Sequence, residues 1–304
     1  MLQEVFYWIF NMSITAAITG VFVILIRRVK KIPRRLVVFL WAIPFLRMTV
    51  PFGLNSPYSL MSLLCKITTK SIIVYQPFGD VSFSMMNSVM AADTYFPITY
   101  KVDILEDIFG VASVIWIIVV LAVILLLGIT YYVTVREMKD SVHLGEDIYL
   151  LEKIMSPAVY GIIKPKIILP ASYENTDTKF VVLHEKMHIA SWDNLWRMIA
   201  FLIVAVHWFN PFCWWFLKEF LEDMELSCDE RVLIKLGPNQ AKEYALSLLE
   251  SKQGATIFAS AFGGAKIRMR IENILSFEKM TMFSFVMFVT LIGIVFCVLL
   301  TNGG

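Results

Sequence analysis

The sequence predicts a membrane α-helical protein that has four transmembrane helices and an inserted α+β domain on the cytoplasmic side. Two observations predict this class. Apolar residues make up 58% of the 304 positions and charged residues only 17%, whereas soluble domains average about 45–50% and about 25%. Uncharged segments of about 20 residues, the length that crosses a bilayer, recur along the chain, with basic residues clustered beside them.

The N-terminal segment predicts the first span and the orientation of the chain. Val5 to Ile26 is uncharged. It lacks the basic start and the small-residue cleavage site of a signal peptide, so we expect it to be retained. Six basic residues and no acid follow between positions 27 and 35. Because such clusters stay on the cytoplasmic side, the N-terminus is predicted to lie outside.

Residues 1–135 are predicted to hold three spans. The second, Leu36 to Leu54, contains Arg47, which we expect to reach the outer interface because a charge inside lipid is costly. Residues 55–106 are mixed in character and have few basic residues, as expected of an external loop. Ile108 to Val133 is the third span, and it returns the chain to the cytoplasm.

The next segment, residues 136–279, is soluble in character and is predicted to be the cytoplasmic domain. Two short β-branched runs, Ala158–Ile163 and Lys166–Leu169, are punctuated by glycine and proline, which favours a small sheet. Residues 280–304 supply the last span, about Met282 to Leu300, and a short external tail. Four crossings place both termini outside.

One further apolar stretch, Met198 to Leu217, is long enough to be a span. We expect instead a helix that is buried in the cytoplasmic domain or lies against the inner leaflet. The stretch contains His207, Asn210 and Pro211, which are costly in lipid. A crossing there would also separate the acidic run that follows from the histidine motif described next.

The chemistry of the chain centres on the sequence His184-Glu185-Lys186-Met187-His188. On a helix the two histidines lie one turn apart on the same face, so both can bind one Zn²⁺. Glu185 can then take a proton from a water bound to that ion. With four histidines in the chain, a chance match is expected roughly 0.003 times. We therefore predict a zinc peptidase rather than histidines on a solvent-exposed helix.

An acidic run between Glu219 and Glu230 supplies candidates for a third ligand. A catalytic zinc site has three protein ligands and leaves the fourth position to water. Glu225 and Asp229 share a helix face, so one can bind the metal while the other orients a histidine. Glu222, one turn earlier, is the alternative ligand. Any one of these acids can instead belong to a solvent-exposed face.

Four groups of residues occur in a fixed order along the chain. They are Ser156-Pro157…Gly161…Lys164-Pro165…Leu169-Pro170, then His184-Glu185-x-x-His188 with Asp193 five residues later, then His207-Trp208-Phe209-Asn210-Pro211, and finally Glu225-Leu226-Ser227-Cys228-Asp229. Together with the four-span layout, they resemble the membrane metallopeptidases of the BlaR/MecR type, bacterial β-lactam sensor-transducers and their relatives. The resemblance covers nearly the whole chain.

The C-terminus departs from this resemblance. Antibiotic-sensing members continue after the last span into an external penicillin-binding domain, whereas this chain ends at Gly304. Either the sensor domain has been cut from the sequence, or the protein is a relative without one. The binding of β-lactams is therefore not carried over.

The resemblance implies a gluzincin-like zinc domain inserted between the third and fourth spans, in a bacterial cell membrane. It makes Glu225 the third metal ligand, with Asp193 and Asp229 in supporting positions. The stretch 158–169 would be the sheet edge that holds a substrate in extended form. For the oxyanion donor His207 is a candidate, and a buried structural histidine is the alternative.

The resemblance also implies signalling in an antibiotic or stress response, in which activation leads to self-cleavage and to loss of a cytoplasmic repressor. The expected partners are the lipid bilayer, a protein substrate such as a transcriptional repressor, and a second copy of the chain in a homodimer. A net charge of +2 gives no reason to expect direct contact with nucleic acid. Self-cleavage is predicted at Ser276–Phe277, where a helix leading into the last span is the alternative.

Two other functions are weighed against a peptidase. The chain can be a non-catalytic signalling scaffold or antirepressor with a structural zinc site, which would tolerate the loss of Glu185. A transporter is disfavoured, because ionisable residues are largely absent from the predicted spans.

The four cysteines are predicted to be free, buried thiols. They are Cys65, Cys213, Cys228 and Cys297, and they form no CxxC pair. Neither a disulfide framework nor a cysteine zinc site is expected from this spacing.

Overall fold

The structure is a computed structural model of the chain. It describes residues 2–29, 32–51, 55–56, 58–60, 62, 103–145, 147–161, 163–174, 176–250, 267–277 and 281–303. Most of the predicted external loop, residues 55–106, therefore lies outside the described residues.

Helices make up most of the described chain. In order they are α1 (Leu2–Arg27), α2 (Arg34–Leu40), α3 (Ala42–Thr49), α4 (Asp103–Glu137), α5 (Lys179–Ala190), α6 (Asp193–Val206), α7 (Pro211–Leu236), α8 (Ala241–Glu250), α9 (Ile267–Leu275) and α10 (Met282–Leu300). The strands are β1 (Asn55–Ser56), β2 (Val142–Gly145), β3 (Ile148–Leu151), β4 (Ala158–Tyr160), β5 (Lys166–Pro170) and β6 (Asn302–Gly303).

Three helices of the described chain, α1, α4 and α10, are long and apolar enough to cross a membrane. They coincide with the first, third and last predicted spans. Many of the Leu, Ile, Val and Phe side chains of α4 and α10 are exposed, as suits helices surrounded by lipid rather than by water. The chain is a membrane protein.

The second predicted span is divided into two consecutive helices, α2 and α3, which are separated only by Trp41. Both lie beside α10. Near the start of α2, Leu36 and Val37 pack against Phe285 and Phe288, which lie near the start of α10. The end of α3 contacts the end of α10, and the two short helices together therefore follow the length of that span.

Arg47 of α3, which we expect at the outer interface, is 2% exposed and lies against the end of α10. Its guanidinium donates hydrogen bonds to the backbone carbonyl of Leu299 at 3.1 and 3.0 Å and also to that of Thr301. Carbonyl groups at the end of a helix have no partner within the helix and carry the negative end of its dipole. The buried guanidinium of Arg47 therefore pairs with carbonyl groups at the end of α10 that have no partner within the helix.

The apolar stretch Met198–Leu217, predicted as one helix, is a helical hairpin. Helix α6 ends at Val206, and α7 begins at Pro211 after a short turn. The side chain of Asn210 caps α7 by accepting a hydrogen bond from the Phe212 amide at 2.9 Å. Asparagine at the N-cap and proline at the first helical position are favourable, so these two residues begin a helix rather than interrupt one.

The hairpin packs beside α1 and α4. The Asn210 amide donates to the backbone carbonyl and the hydroxyl of Ser13 in α1, at 3.1 and 2.7 Å. The indole of Trp116 in α4 donates to the Val206 carbonyl at 2.8 Å. About 21 Å of helix separates Ser13 from Arg27 at the end of α1. Helix α7 then returns along α1, which brings its acidic half back beside α5.

The small sheet has the strand order β2-β3-β5-β4. Strands β3 and β5 pair in parallel, and the other two pairs are antiparallel. The predicted strands Ala158–Ile163 and Lys166–Leu169 are confirmed as β4 and β5, although β4 ends at Tyr160 because Gly161 turns the chain with a φ of +92°. The sequence analysis missed β2 and β3. The buried face of β5 packs against α5 and holds the sheet beside the histidine motif.

Acidic side chains tie α7 to the end of α1 and the start of α2. Asp223 is fully buried. Its carboxylate accepts hydrogen bonds from Arg27 at 2.8 and 2.9 Å and from the Trp41 indole at 2.8 Å. Glu230 accepts from the backbone N–H groups of the first two residues of α2, at 2.8 and 3.2 Å, where a carboxylate is favourable. The basic cluster that predicted the topology therefore also holds α7 in place.

Two of the cysteines are free and buried as predicted, Cys213 and Cys228. Cys297 is also free, but it is exposed, because it lies on α10 among side chains that face away from the protein. Cys65 lies outside the described residues.

Replacing Asp223 with Asn should destabilise the chain by about 3 kcal/mol, because it leaves buried guanidinium groups without their carboxylate. The measurement is the thermal unfolding of the full chain in detergent. The matched control is Asp140→Asn, since Asp140 pairs with Lys153 at 3.3 Å with both side chains mostly exposed. That change should cost about 1 kcal/mol or less, and equal losses would contradict the assigned role of Asp223.

Candidate metal centre

Two histidines of α5 point at one place in the interior. The first N–H of α5, from Lys179, donates to the Asp177 carboxylate at 3.0 Å, which helps to begin the helix. His184 and His188 follow on the buried side and are 7% and 5% exposed. Their Nε2 atoms are 3.1 Å apart. The one-turn spacing read from the sequence therefore brings both rings together.

The other nitrogen of each ring is fixed by a hydrogen bond. Tyr244 donates its only hydroxyl proton to Asp229 at 2.6 Å, so its oxygen accepts from Nδ1 of His184 at 2.8 Å. Nδ1 of His188 donates to the Asp193 carboxylate at 2.6 Å. Both rings therefore carry a proton on Nδ1, and once any second proton is lost both Nε2 lone pairs are directed at the same place.

Glu225 lies where it can complete a site around these two lone pairs. Its carboxylate oxygens are 3.7 Å from Nε2 of His184 and 3.6 Å from Nε2 of His188. Ligands held at about 2.0–2.1 Å around a tetrahedral ion lie roughly 3.3 Å apart, close to the separations found here. The residues therefore fit a divalent metal ion.

The alternative ligand, Glu222, faces the membrane helices. Its carboxylate lies 3.9 Å from a guanidinium nitrogen of Arg27 at the end of α1. Of the three acids that the sequence offered, the structure brings Glu225 to the two Nε2 atoms, while Asp229 lies 3.4 Å from Nδ1 of His184.

Cys228 is a second competitor for the third ligand. Its Sγ and one nitrogen from each of His184 and His188 lie within 4.8 Å of one another. Sγ is 3.6 Å from Nδ1 of His184, however, and that atom already donates to Tyr244. Burial raises the pKa of the thiol, but the two histidines lower it to about 7. With Glu225 as the third ligand, the bonds at both Nδ1 atoms would stay intact.

Two arginines hold the carboxylates of α7. Arg270 of α9 is 4% exposed and donates to both oxygens of Asp229 at 2.7 Å. It also lies 3.5 Å from Glu225. Arg197 of α6 donates to Glu225 at 2.6 Å. A planar guanidinium that binds both oxygens of a carboxylate fixes its orientation, so Asp229 and Glu225 are held in place.

Neighbouring charges keep these acids ionised. Burial by itself raises the pKa of Asp229, but the Arg270 guanidinium lowers it to about 2. Burial also raises the pKa of Glu225, and His188 and the neighbouring arginines hold it well below its usual range. The pKa of His188, which burial lowers, is raised to about 9 by the adjacent thiol and carboxylates. Without a metal, His188 therefore retains a proton at neutral pH.

Glu185 is the acid next to the first histidine, and it is 8% exposed. Within the described part of the chain, we find no hydrogen bond or ion pair to its carboxylate. It lies near Tyr160 at the end of β4, where burial first and then the nearby acids raise the pKa of that phenol. A carboxylate with free lone pairs beside a metal ligand is available to accept a proton from water.

A cavity of about 270 Å³ opens beside His188, between β4 and the end of α5. Its walls are mostly apolar and include Val159, Gly161, Ile189 and Trp192. Because β4 is an edge strand, the cavity joins a free sheet edge to the histidine pair. Clefts of this kind admit an apolar side chain of a ligand.

His207 lies outside the centre, which corrects its expected role as an oxyanion donor. It follows the end of α6, so about 20 Å of helix separates it from Asp193 at the start. Its Nε2 donates to the carbonyl of Met48 at 3.1 Å. The side chain is a buried structural histidine among the membrane helices.

Ser276 and Phe277 lie at the end of α9 and not in the cavity. Phe277 packs against the buried cluster that includes Tyr244 and Ile274. The Ser276 amide and hydroxyl both donate to the Glu272 carbonyl, at 3.1 and 2.7 Å. The peptide bond between the two residues is therefore part of a helix end that would have to unfold before cleavage.

Several functional residues were missed by sequence reasoning. They are Arg197, Cys228, Arg231, Tyr244 and Arg270. Cys228 lies beside the histidine rings, and Arg231 donates a hydrogen bond to Asp193 at 2.9 Å. The one available clue is that Arg197 follows Asp193 by a helical turn. Tyr244 and Arg270 reach Asp229 from other helices, 15 and 41 residues away, and no spacing in the sequence indicates that.

The chain thus combines helices long enough to cross a membrane with a buried histidine centre that could hold a metal ion. The chain belongs to the BlaR1 peptidase M56 family, whose model matches residues 7–276.

Curated relatives agree with this family. The regulatory protein BlaR1 of Bacillus licheniformis is 33% identical over 135 residues, which are 41% of this chain and 22% of that protein. The methicillin resistance mecR1 protein of Staphylococcus aureus is 29% identical over 101 residues, or 32% and 17% of the two chains. The regulatory protein BlaR1 of Staphylococcus aureus is 28% identical over 134 residues, or 40% and 23%. The matched part thus spans about a fifth of each relative.

Glu225→Gln should lower the affinity for a divalent metal by more than about 100-fold, because it removes a charged ligand. Cys228→Ser should keep the metal, since the hydroxyl replaces a thiol that is not needed as a ligand. Metal content of the purified chain, measured by mass spectrometry, separates the two outcomes. Retention in Glu225→Gln together with loss in Cys228→Ser would overturn the assignment.

Metal affinity should rise with pH between about 6 and 9. His188 has a pKa raised to about 9, so below that pH a proton must leave before the metal binds, and above it no proton competes. Asp193→Asn removes one cause of the raised pKa of His188. In this variant the metal affinity should therefore reach its plateau at a lower pH. Competition with a chelator across this range measures both curves, and a flat profile in the wild type would contradict the expectation.

Proposed function

We propose that the chain is a zinc metalloendopeptidase that hydrolyses peptide bonds in a cytoplasmic protein, in itself, or in both, as part of transmembrane signalling. The observation that carries this proposal is the pair of Nε2 atoms that lie 3.1 Å apart and within 3.7 Å of the Glu225 carboxylate, with Glu185 beside them. Membership of a peptidase family supports it. The names of the relatives, a regulatory protein and a methicillin resistance protein, support a role in an antibiotic or stress response.

Zinc is the metal that suits two imidazoles and one carboxylate. This set of three protein ligands, with a fourth position left for water, is typical of catalytic zinc sites. When bound, Zn²⁺ lowers the pKa of a coordinated water towards about 7 and polarises a carbonyl group. His184, His188 and Glu225 would hold it.

The protein's own groups then have distinct tasks. Glu185 accepts the proton of the attacking water and passes it to the leaving amine. Asp193 holds the ring of His188, and the pair of Tyr244 and Asp229 holds the ring of His184, so that each Nε2 stays directed at the metal. We assign the substrate to the edge of β4 as an extended segment, with one apolar side chain in the cavity beside His188.

We propose four spans with the metal centre at the cytoplasmic face and both termini outside. If α10 crosses the bilayer, α2 and α3 extend over the same depth, because they pack along it from Phe285 to Leu299. Arg27, at the end of the first span, binds Asp223. Asp223 lies on α7 two residues before Glu225. The basic cluster therefore lies on the side of the metal centre, and such clusters face the cytoplasm. The domain limits 1–135, 136–279 and 280–304 follow from this arrangement.

The proposed substrates are a cytoplasmic protein such as a transcriptional repressor, and the chain itself. Self-cleavage at Ser276–Phe277 is compatible with the structure only after the end of α9 unfolds, so it would be a regulated rather than a constant event. A homodimer is a further proposal, and it would supply the second copy for cleavage in trans.

Glu185→Gln should lower the kcat for hydrolysis by about 100-fold or more, since it removes the general base but no metal ligand. The assay uses the full chain in detergent, fluorescein-labelled casein as the probe, and zinc content measured in parallel. Zinc should stay at one ion per chain in both proteins.

The matched control is Glu152→Gln, the same change at an exposed position, which should leave hydrolysis unaffected. If the wild type binds zinc and neither casein nor its own chain is cut, the non-catalytic scaffold is the better description. If Glu185→Gln hydrolyses casein as fast as Glu152→Gln, the assigned mechanism is overturned.

A further inference from the structure

Asn194, the second residue of α6, links the short connection between α5 and α6 to the sheet. Its side-chain amide donates hydrogen bonds to two backbone carbonyls, that of Val159 at 2.8 Å and that of Gly161 at 3.2 Å. One residue is in β4 and the other follows it directly. All three residues line the cavity beside His188.

The two carbonyls lie at the outer edge of the sheet, one in β4 and one directly after it. In the part of the chain that the structure describes, strand β4 pairs with β5 on one side only. In an antiparallel pair, alternate residues direct their N–H and C=O groups at the partner strand and the others direct them away. Because Val159 and Gly161 are two residues apart and both accept from Asn194, they are the residues that direct their groups away from β5. An added strand would use these same groups.

The turn that carries Asn194 is fixed in an unusual conformation. Trp192 has a φ of +57° in the left-handed region, which is uncommon for a bulky residue. Asp193 follows and holds Nδ1 of His188 at 2.6 Å. The short connection from α5 to α6 therefore has two roles. It orients the ring of His188 through Asp193, and it places the Asn194 amide against the edge of β4.

We propose that Asn194 occupies the substrate edge of β4 in the free protein and is displaced by the backbone of an extended peptide. This inference rests on the proposed peptidase function and names the form of its substrate. The amide supplies the two N–H donors that an incoming strand would otherwise supply. A peptide that binds as a strand replaces both bonds with its own N–H groups, so hydrogen bonds are exchanged rather than lost.

The exchange makes the edge selective for extended backbone. A ligand that offers only an apolar side chain can enter the cavity, but it does not replace the hydrogen bonds from Asn194 to the two carbonyls. A folded segment has its N–H groups already paired and cannot displace the amide without unfolding. Segments that are unfolded, or that unfold locally, are therefore the substrates that this edge admits.

The test compares Asn194→Ala and Asn194→Asp with the wild type in the full chain in detergent, with casein as an unfolded probe. Both variants remove the competing donors, so the KM should fall by about 2- to 10-fold while kcat stays within about twofold. The matched control is Asn210→Ala, which removes amide bonds to Ser13 at the far end of the hairpin and should not lower the KM. A raised KM or a lost kcat in both Asn194 variants, with zinc content retained, would show a purely structural role and overturn the proposal.

A second measurement does not require turnover. Hydrogen exchange of the segment 157–163 is followed by mass spectrometry in Glu185→Gln, with and without casein. Casein should slow exchange there, and a lower casein concentration should suffice when Asn194→Ala is added. Equal protection curves with and without Asn194→Ala would overturn the inference. If the wild type cuts no casein while this protection still depends on Asn194, the peptidase proposal fails and the role of Asn194 stands.

Discussion

The burial of acids on one helix is the constraint on which the rest of the structure depends. Glu222, Asp223, Glu225, Asp229 and Glu230 all lie on α7, and four of them are 8% exposed or less. Buried carboxylates are tolerable only when cations or N–H groups pair with them. The surrounding elements are therefore arranged to bring positive charge to α7 from two sides.

The two sides have different sources of charge. The end of α1 and the start of α2 supply Arg27 and free backbone N–H groups to Asp223 and Glu230. On the opposite side Arg270 and Arg197 hold Asp229 and Glu225, and a divalent ion would add its own charge between the histidines. One helix, α7, carries both sets, so the contacts of Asp223 with α1 and those of Glu225 with the histidine pair lie two residues apart.

The connection between α5 and α6 has a comparable double role at the other end of the site. It orients the ring of His188 through Asp193 and meets the edge of β4 through Asn194. The geometry of metal binding and the accessibility of the sheet edge thus depend on the same few residues. This explains why a strained residue, Trp192, is retained between two helices.

The sequence by itself determined the membrane class, the three long apolar helices, strands β4 and β5 and the spacing of the histidine pair, because each depends on local periodicity or on residues one helical turn apart. It also offered Glu225 and Asp229 on one face of a helix, whereas Asp193 is indicated only by the resemblance to the BlaR/MecR family. Only the tertiary structure shows that Glu225 faces the histidines of α5 while Glu222 faces Arg27. It also turned Met198–Leu217 into a hairpin, moved His207 away from the site, and brought in Tyr244 and Arg270. These outcomes depend on contacts between residues far apart in the chain, and local pattern carries no record of such contacts.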